Sequence, residues 1–133
     1  MSQRNVELFS RAVAAFNLRD LDAYLALIDA EVEFTPHNVW AEGGGPYRGH
    51  DGVRTWWTEI FDVLPDLTAE VYEVRDLGET MFVHGRLHGQ GLASGAQFER
   101  TMWMAIEWRD GKQVWWCDMG TEAEALEAAE LRA

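Results

Sequence analysis

The sequence predicts an α+β fold, in which a curved antiparallel sheet wraps around three N-terminal helices to form a cone with an apolar pocket, followed by a short C-terminal helix. Three observations predict it. Apolar residues recur with helical spacing in the first half of the chain, and they alternate with polar residues over long stretches of the second half. Glycines at even spacing, Gly85, Gly89 and Gly91, interrupt one of those stretches, where bends or bulges would curve a sheet.

Composition limits the classes of partner. The 133 residues predict a single domain over residues 1–133. With 11 Lys and Arg against 23 Asp and Glu, the net charge of −12 argues against nucleic acid and anionic membranes, which bind clustered cations. No segment is apolar enough for a signal peptide or a membrane span, so the expected location is the cytoplasm. The single cysteine, Cys117, excludes an intrachain disulfide and a cysteine-based zinc site, and no pattern indicates a cofactor.

The N-terminal part predicts two helices and a short strand. Apolar residues at i, i+3, i+7 and i+10 predict a first helix over residues 2–17. Asp20 is a suitable N-cap for a second helix over residues 21–28, where Tyr24 lies beside the inward face and is a candidate for the pocket wall. Residues 31–35 predict a short strand.

The segment after that strand combines glycines with bulky side chains. Gly43–Gly45, followed by a proline, cannot hold a regular element, yet the same loop carries His37 and Trp40. Loops of this composition often cover a binding site. Two interpretations remain open: the loop closes over the pocket with Trp40 in its lining, or it is a crossover anchored by its aromatic side chains.

A third helix is predicted from His50 or Asp51 to the residue before Pro65. Its apolar face holds a doubled tryptophan, Trp56 and Trp57, which is wider than a simple core face requires. Both rings are therefore candidates for the pocket wall, although core packing also accounts for them.

Four long strands are predicted in the second half of the chain. The first two cover residues 68–76 and 80–92, joined by a short turn. A two-residue turn at Ser94 and Gly95 would lead into the third strand and pair Arg86 with Trp103.

One face of the second strand is expected on the outside of the cone. Together with the third strand it predicts a homodimer interface of Phe82, His84, Arg86 and Trp103. His84, Arg86 and His88 stand at i, i+2 and i+4, but their expected cross-strand neighbours supply no further ligand. We therefore predict no metal site.

The last two strands carry the candidate chemistry. From Gln97 to Asp118, even-numbered residues up to the turn are mostly apolar and odd-numbered ones mostly polar, but Arg100 stands in the apolar row. A three-residue bulged turn around Asp110 and Gly111 would place Met104 opposite Asp118.

This register puts Asp118 on the same face as Arg100, among Met102, Met104 and Trp116. A plain two-residue turn would shift the pairing by one residue and point the carboxylate to the other face. The hypothesis of a site therefore depends on the bulge.

The chain ends in a predicted helix. Thr121 and Glu124 form a capping box at its start, and Leu126 and Leu131 are expected to dock it onto the domain.

These elements resemble the SnoaL-like branch of the nuclear transport factor 2-like superfamily over essentially the whole chain. The resemblance rests on RDLDA at 19–23, VEF at 32–34, YRGHDGV at 47–53, GR at 85–86, SG at 94–95, RDGK at 109–112 and EALEAA at 124–129. It implies the cone fold. That fold hosts isomerases, cyclases, dehydratases, epoxide hydrolases and binding proteins, so the residues must decide the function.

Several branches of the superfamily can be compared with this chain. A ketosteroid-isomerase-like site would need carboxylates near Thr35 and Met104, which this chain lacks. An epoxide-hydrolase-like relay would need a second buried acid. A scytalone-dehydratase-like site would set His37 against Asp118. The polyketide-cyclase pattern asks for an aspartate base late in the sheet, which Asp118 resembles, with Thr121 as the other candidate position.

We therefore predict a small, cofactor-independent enzyme with cyclase- or isomerase-like acid/base chemistry on a polyketide-like or cyclic oxygenated molecule. Asp118 would be the general base, Arg100 would stabilise an enolate or orient a carboxylate, and His37 would be a further acid or base. Two alternatives remain open: a module that binds a small apolar ligand, or a dimerising domain in which the ion pair only fixes the sheet.

Overall fold

The computed structural model describes residues 2–37, 45–90 and 97–133. Its helices are α1 (Ser2–Leu18), α2 (Leu21–Leu25), α3 (Gly49–Val63) and α4 (Glu122–Arg132). Its strands are β1 (Ile28–Thr35), β2 (Tyr47–Arg48), β3 (Thr68–Asp76), β4 (Thr80–Gln90), β5 (Gln97–Arg109) and β6 (Lys112–Met119). Within these ranges no helix is both long and apolar enough to cross a membrane.

The strands form one six-stranded sheet in the order β2-β1-β6-β5-β4-β3. All neighbours are antiparallel except β1 and β6, which run parallel. The predicted α+β architecture of a curved sheet around three N-terminal helices is confirmed, with this one difference. The described chain between β1 and β6 forms α3 and four strands, β2 to β5, and this long connection lets β6 return beside β1 in the same direction, as a parallel pair requires.

The curvature has a local cause at Gly85. Strand β3 contains a bulge between Val71 and Glu73, and Gly85 of β4 lies directly across from Val71. A side chain at Gly85 would collide with the carbonyl oxygen of Glu70. The glycine therefore permits the close approach of the two strands at the bulge, as its spacing predicts, whereas Gly91 lies outside the described residues.

The first three helices cover the concave face of the sheet with aromatic side chains. The ring of Phe16 in α1 stacks on Trp56 at 6.0 Å and meets Trp57 edge-on at 5.7 Å. Tyr24 in α2 packs on the same two rings. Such pairs contribute about 0.5–1.5 kcal/mol each beyond the area they bury, so this cluster holds the helices to one another.

Helix α2 is shorter than predicted. It starts after Asp20, whose side chain accepts a hydrogen bond from the Ala23 amide, but it ends at Leu25 instead of residue 28. Ile28 already belongs to β1, where it pairs with Gln113 and is fully buried. Tertiary pairing with the sheet overrides the helical pattern at this end.

The register between β4 and β5 differs from the prediction by two residues. Trp103 pairs with His84, and Arg86 pairs with Thr101. A shift of two leaves every side chain on its predicted face, because the strand period is two. The predicted turn at Ser94 and Gly95 lies outside the described residues.

Helix α4 docks through small residues. Thr121 caps it, as predicted, by accepting a hydrogen bond from the Glu124 amide. Leu131 is 79% exposed, so its predicted docking role is wrong; Ala125 and Ala129 are fully buried instead. Their small side chains let the helix backbone approach the sheet closely enough for the Thr80 hydroxyl to donate to the Ala129 carbonyl at 3.1 Å.

We expect Gly85→Ala to lower the free energy of unfolding by about 1–3 kcal/mol, because the added methyl group must displace the β3 backbone. The matched control is Gly45→Ala, where nothing lies within 4 Å of the added carbon. Urea unfolding of both variants measures the difference. Equal midpoints for the two variants would contradict the bulge contact.

Candidate functional site

The connection between β5 and β6 is a two-residue turn. Asp110 has φ 53° and Gly111 has φ 78°, and Arg109 pairs with Lys112 across them. Two consecutive positive φ values are characteristic of the type I′ turn, for which Asp-Gly is a preferred sequence. The predicted three-residue connection is therefore wrong.

A bulge farther along β6 restores the predicted register. Trp108 pairs with Gln113, but Glu107 pairs with Trp115, so Val114 is the extra residue. Beyond this bulge, Ile106 faces Trp116 and Met104 faces Asp118, as predicted from the sequence. One inserted residue in β6 has the same effect on register as the longer turn would have had.

This register brings Asp118 and Arg100 together. The Arg100 guanidinium donates from Nη2 to Oδ2 of Asp118 at 2.6 Å and from Nη1 to Oδ1 at 3.4 Å. The Trp103 amide also points at Oδ1, at 3.4 Å. The Asp118 side chain is only 6% exposed, whereas that of Arg100 is 25% exposed. The carboxylate is therefore buried, and the cation connects it to the surface.

Burial and charge act on Asp118 in opposite directions. Desolvation by burial raises the pKa of this carboxyl, whereas hydrogen bonding and attraction to Arg100, the Trp103 amide and the charge of His37 lower it. Burial is the largest of these effects, so the pKa of Asp118 lies above its ordinary value. A carboxylate with a raised pKa is a stronger base than a solvated one.

Asp118 lies in a wall shared by two cavities. The inner cavity has a volume of about 80 Å³ and lies between α1, α2, α3 and the concave face of the sheet. The outer cavity has a volume of about 510 Å³ and lies between α3, the end of β1 and the sheet. Both are lined by Trp56, Ile60, Leu87, Trp116 and Asp118. A ligand in either cavity therefore has the carboxylate in its wall.

Most of the predicted pocket residues line the inner cavity, namely Tyr24, Trp56, Met102, Met104 and Trp116. Trp57 instead packs against Phe16, Tyr24 and Phe61, on the core side of the helix cluster. Trp40 lies outside the described residues, together with Gly43 and Gly44.

His37 and Arg100 line the outer cavity. His37 is also the smallest of the effects that lower the pKa of Asp118. The structure thus gathers the three predicted chemical groups, His37, Arg100 and Asp118, around one opening.

Sequence reasoning missed several groups at these cavities. Tyr47 donates a hydrogen bond to Glu59 at 2.7 Å in the wall of the outer cavity, and burial together with Glu59 raises the pKa of Tyr47 to about 12. Gln113 lines the inner cavity. Its polar residue type in a strand otherwise rich in tryptophan was the signal that could have revealed it. Across the described ranges, no group of three or more His, Cys, Asp or Glu residues is placed to hold a metal ion.

The sequence between residues 9 and 116 matches the family described as the SnoaL-like domain. Arg100 falls within the matched range, and Asp118 lies two residues beyond it. No curated protein matches the chain.

Solved structures share the fold over nearly the whole chain. An NTF2-like protein of unknown function from Burkholderia pseudomallei K96243 has a TM-score of 0.78 at 22% identity, over 93% of this chain and 95% of that one. TerC, co-crystallised with polyporic acid, has a TM-score of 0.77 at 22% identity, over 96% and 98%. IdmH from Streptomyces antibioticus, provisionally assigned as a polyketide cyclase, has a TM-score of 0.76 at 23% identity, over 97% and 99%. At these identities the likeness shows the fold.

We expect the Asp118 carboxyl to titrate above the usual aspartate value of about 3.9, because burial disfavours its charged form. Arg100→Leu should raise the midpoint further, because the guanidinium favours the carboxylate. Carbon-13 NMR of the carboxyl group measures both midpoints. Arg109→Leu, at an exposed arginine, is the matched control and should leave the midpoint unchanged.

The same shift affects stability. Because the folded carboxyl binds its proton more tightly than the unfolded one, its contribution to the free energy of unfolding falls as the pH rises from about 3.9 through the folded pKa. In the NMR titration, a midpoint of about 3.9 that stays unchanged in Arg100→Leu would instead indicate a solvated carboxylate. That result would contradict the described site.

Proposed function

The chain belongs to the SnoaL-like domain family, and we propose that it is a small enzyme that performs acid/base chemistry on a hydrophobic, oxygenated small molecule. The reaction class is a cyclisation or isomerisation of a polyketide-like or cyclic substrate. The family and the shared fold support the general class, a small-molecule enzyme or binding domain. IdmH, of the same fold, carries the polyketide-cyclase assignment.

The position of Asp118 is the observation that carries this proposal. Its carboxylate is buried in the wall common to the inner and outer cavities, among Met102, Met104 and Trp116. An ion pair that only stabilises the sheet does not need to lie beside a cavity. A base in such a place meets an apolar ligand where water has little access, which strengthens its interactions with the reacting group.

The proposed chemistry begins with proton abstraction. Asp118 takes a proton from a carbon next to a carbonyl group, and the electron pair of the C–H bond moves into an enolate. The guanidinium of Arg100 lines the outer cavity beside this carboxylate and stabilises the enolate oxygen.

The enolate then has two outcomes. In a cyclisation its carbon attacks a second carbonyl carbon, and the alkoxide oxygen takes a proton from His37. In an isomerisation the proton returns to a different carbon, and the double bond moves. Neither outcome changes the oxidation state of the substrate, so the proposal includes no cofactor.

A binding module without chemistry is the second candidate function. It is favoured by the two-point hydrogen bonding between Arg100 and Asp118, which satisfies the carboxylate without any ligand. In that case the aromatic walls alone would hold an apolar molecule.

We further propose a homodimer of this single domain through the outer face of the sheet. The stack of His84 on Trp103, with ring centroids 4.2 Å apart, and the 56% exposed Tyr72 beside it support this interface. Phe82, which the sequence also assigns to the interface, is fully buried beneath the Arg75 guanidinium. Its part in the interface is indirect, through its stack with Trp103.

We expect Trp103→Arg to convert the dimer to a monomer at micromolar concentration, because it places a charge in the apolar centre of that face. Sedimentation equilibrium measures the mass. An unchanged mass, or a monomeric wild-type protein, would contradict the proposed dimer.

The base itself can be tested with 2-tetralone, a bicyclic ketone whose acidic C–H groups exchange with deuterium. We expect the wild-type protein to accelerate this exchange in D₂O, and Asp118→Asn to reduce the acceleration by about 10²–10⁴-fold, the usual contribution of a general base. Proton NMR of the ketone follows the exchange. The rate should fall as the pH falls through the pKa of Asp118, because only the carboxylate accepts a proton.

Asp110→Asn is the matched control, because Asp110 is exposed and asparagine also tolerates its positive φ. It should leave the rate unchanged. Binding of 2-tetralone without faster deuterium exchange would support the binding module instead of the enzyme. Equal exchange rates for Asp118→Asn and the wild-type protein would do the same.

A further inference from the structure

The inner cavity has a polar group at the end remote from the proposed base. Gln113 is the second residue of β6; it pairs with Trp108 on one side and with Ile28 on the other. Its backbone amide donates to the Leu27 carbonyl at 2.9 Å. These contacts fix the backbone of Gln113 beside the start of β1, and its side chain lines the inner cavity.

The side-chain amide of Gln113 can both donate and accept hydrogen bonds, and it does neither within the described residues. The residue is only 2% exposed. Across residues 2–37, 45–90 and 97–133, no group forms a hydrogen bond with this side chain. The amide can therefore form hydrogen bonds with a group that enters the cavity, which an apolar residue at the same position could not do.

Tyr24 supplies a second polar group in the same wall. It is 7% exposed, lines the inner cavity, and its hydroxyl forms no hydrogen bond within the described ranges. The backbone connects it to Gln113, because the Leu27 amide donates to the Tyr24 carbonyl while the Leu27 carbonyl accepts from Gln113. Burial raises the pKa of Tyr24, so the phenol stays protonated and can donate.

Gln113 and the proposed base, Asp118, lie far apart along β6. Asp118 is five positions after Gln113 in the sequence, and one of the four residues between them is the bulged Val114. At about 3.3 Å per residue, the two Cα atoms are roughly 13–16 Å apart. Between them the wall is apolar, with Trp116 on β6 and Met102 on β5. A ligand that contacts both ends is therefore elongated and apolar in its middle.

We propose that Gln113 and Tyr24 form a subsite that binds a carbonyl or hydroxyl oxygen at the far end of the ligand, while Asp118 acts at its other end. The amide and the phenol each donate to a carbonyl oxygen and accept from a hydroxyl group. This inference rests on the proposed function, which supplies the premise that a ligand occupies the cavity. It adds the substrate class, which is an elongated molecule with an oxygen atom at each end. Ligands that lack the remote oxygen form no hydrogen bond with this amide and bind more weakly.

The test uses two matched probes, 4-ethylphenol and 4-ethyltoluene, which differ by a hydroxyl and a methyl group of similar size. We expect the wild-type protein to bind 4-ethylphenol about five- to tenfold more tightly, the usual contribution of one or two neutral hydrogen bonds. Tryptophan fluorescence measures both dissociation constants, because Trp56 and Trp116 line the cavity.

Gln113→Met keeps the length of the side chain and removes the amide. We expect this variant to lose the preference for 4-ethylphenol and to bind 4-ethyltoluene at least as well as the wild type. Tyr24→Phe, which removes one oxygen, should lose part of the preference and serves if the first variant fails to fold. Gln97→Met, at an exposed glutamine, is the matched control and should keep the full preference.

NMR spectroscopy shows where the hydroxyl group of 4-ethylphenol binds. The side-chain amide resonance of Gln113, assigned by its absence in Gln113→Met, should shift with 4-ethylphenol and stay nearly still with 4-ethyltoluene. A preference that survives both Gln113→Met and Tyr24→Phe would overturn the subsite, as would a wild-type protein that binds the two probes equally or binds neither.

The Asp118→Asn variant separates this inference from the proposed function. If it keeps the preference for 4-ethylphenol, the oxygen binds at the Gln113 end, whether or not Asp118 proves to be a base. If the preference disappears in Asp118→Asn but survives in Gln113→Met, the hydroxyl group binds at Asp118 and the subsite is overturned.

Discussion

The register of the β5–β6 hairpin is the constraint on which the site depends. A strand has a side-chain period of two, so a slip of one residue would move Asp118 and Trp116 from the concave face to the outer one. The type I′ turn at Asp110–Gly111 by itself would produce that slip, and the bulge at Val114 compensates for it. One unpaired residue in β6 thus determines that the cone contains a carboxylate.

The burial of this carboxylate requires Arg100. Removal of one partner from a buried pair costs about 3–5 kcal/mol, and the cost is lower here because the arginine is partly exposed. That partial exposure also leaves the guanidinium in the wall of the outer cavity, where a ligand can contact it. The same interaction therefore stabilises the sheet and places a positive charge in the cavity wall.

The aromatic cluster explains why the cone retains an unfilled interior. Rings from α1, α2 and α3 contact one another, and Trp56 reaches Trp116 of the sheet with ring centroids 5.5 Å apart, which leaves a cavity beside this contact between the helices and the sheet. An internal cavity of about 80 Å³ costs roughly 2 kcal/mol. The side chains of Gln113 and Tyr24 in its wall form no hydrogen bonds within the described residues. An unfilled space and available polar groups at one place are typical of a site that is occupied during function.

The sequence by itself determined the element types, the faces of the strands, the caps at Asp20 and Thr121, and the meeting of Arg100 with Asp118, because hydrophobic period and capping chemistry are local properties. Local pattern did not determine that a two-residue turn and a separate bulge together set the register of β5 and β6. Nor did it determine where α2 ends, or that Ala129 docks the last helix instead of Leu131. These depend on contacts between distant segments. The sequence marks Gln113 only as a polar residue in a strand rich in tryptophan. The tertiary structure shows that its side chain lines the cavity and forms no hydrogen bond within the described residues, because both facts depend on neighbours from distant segments.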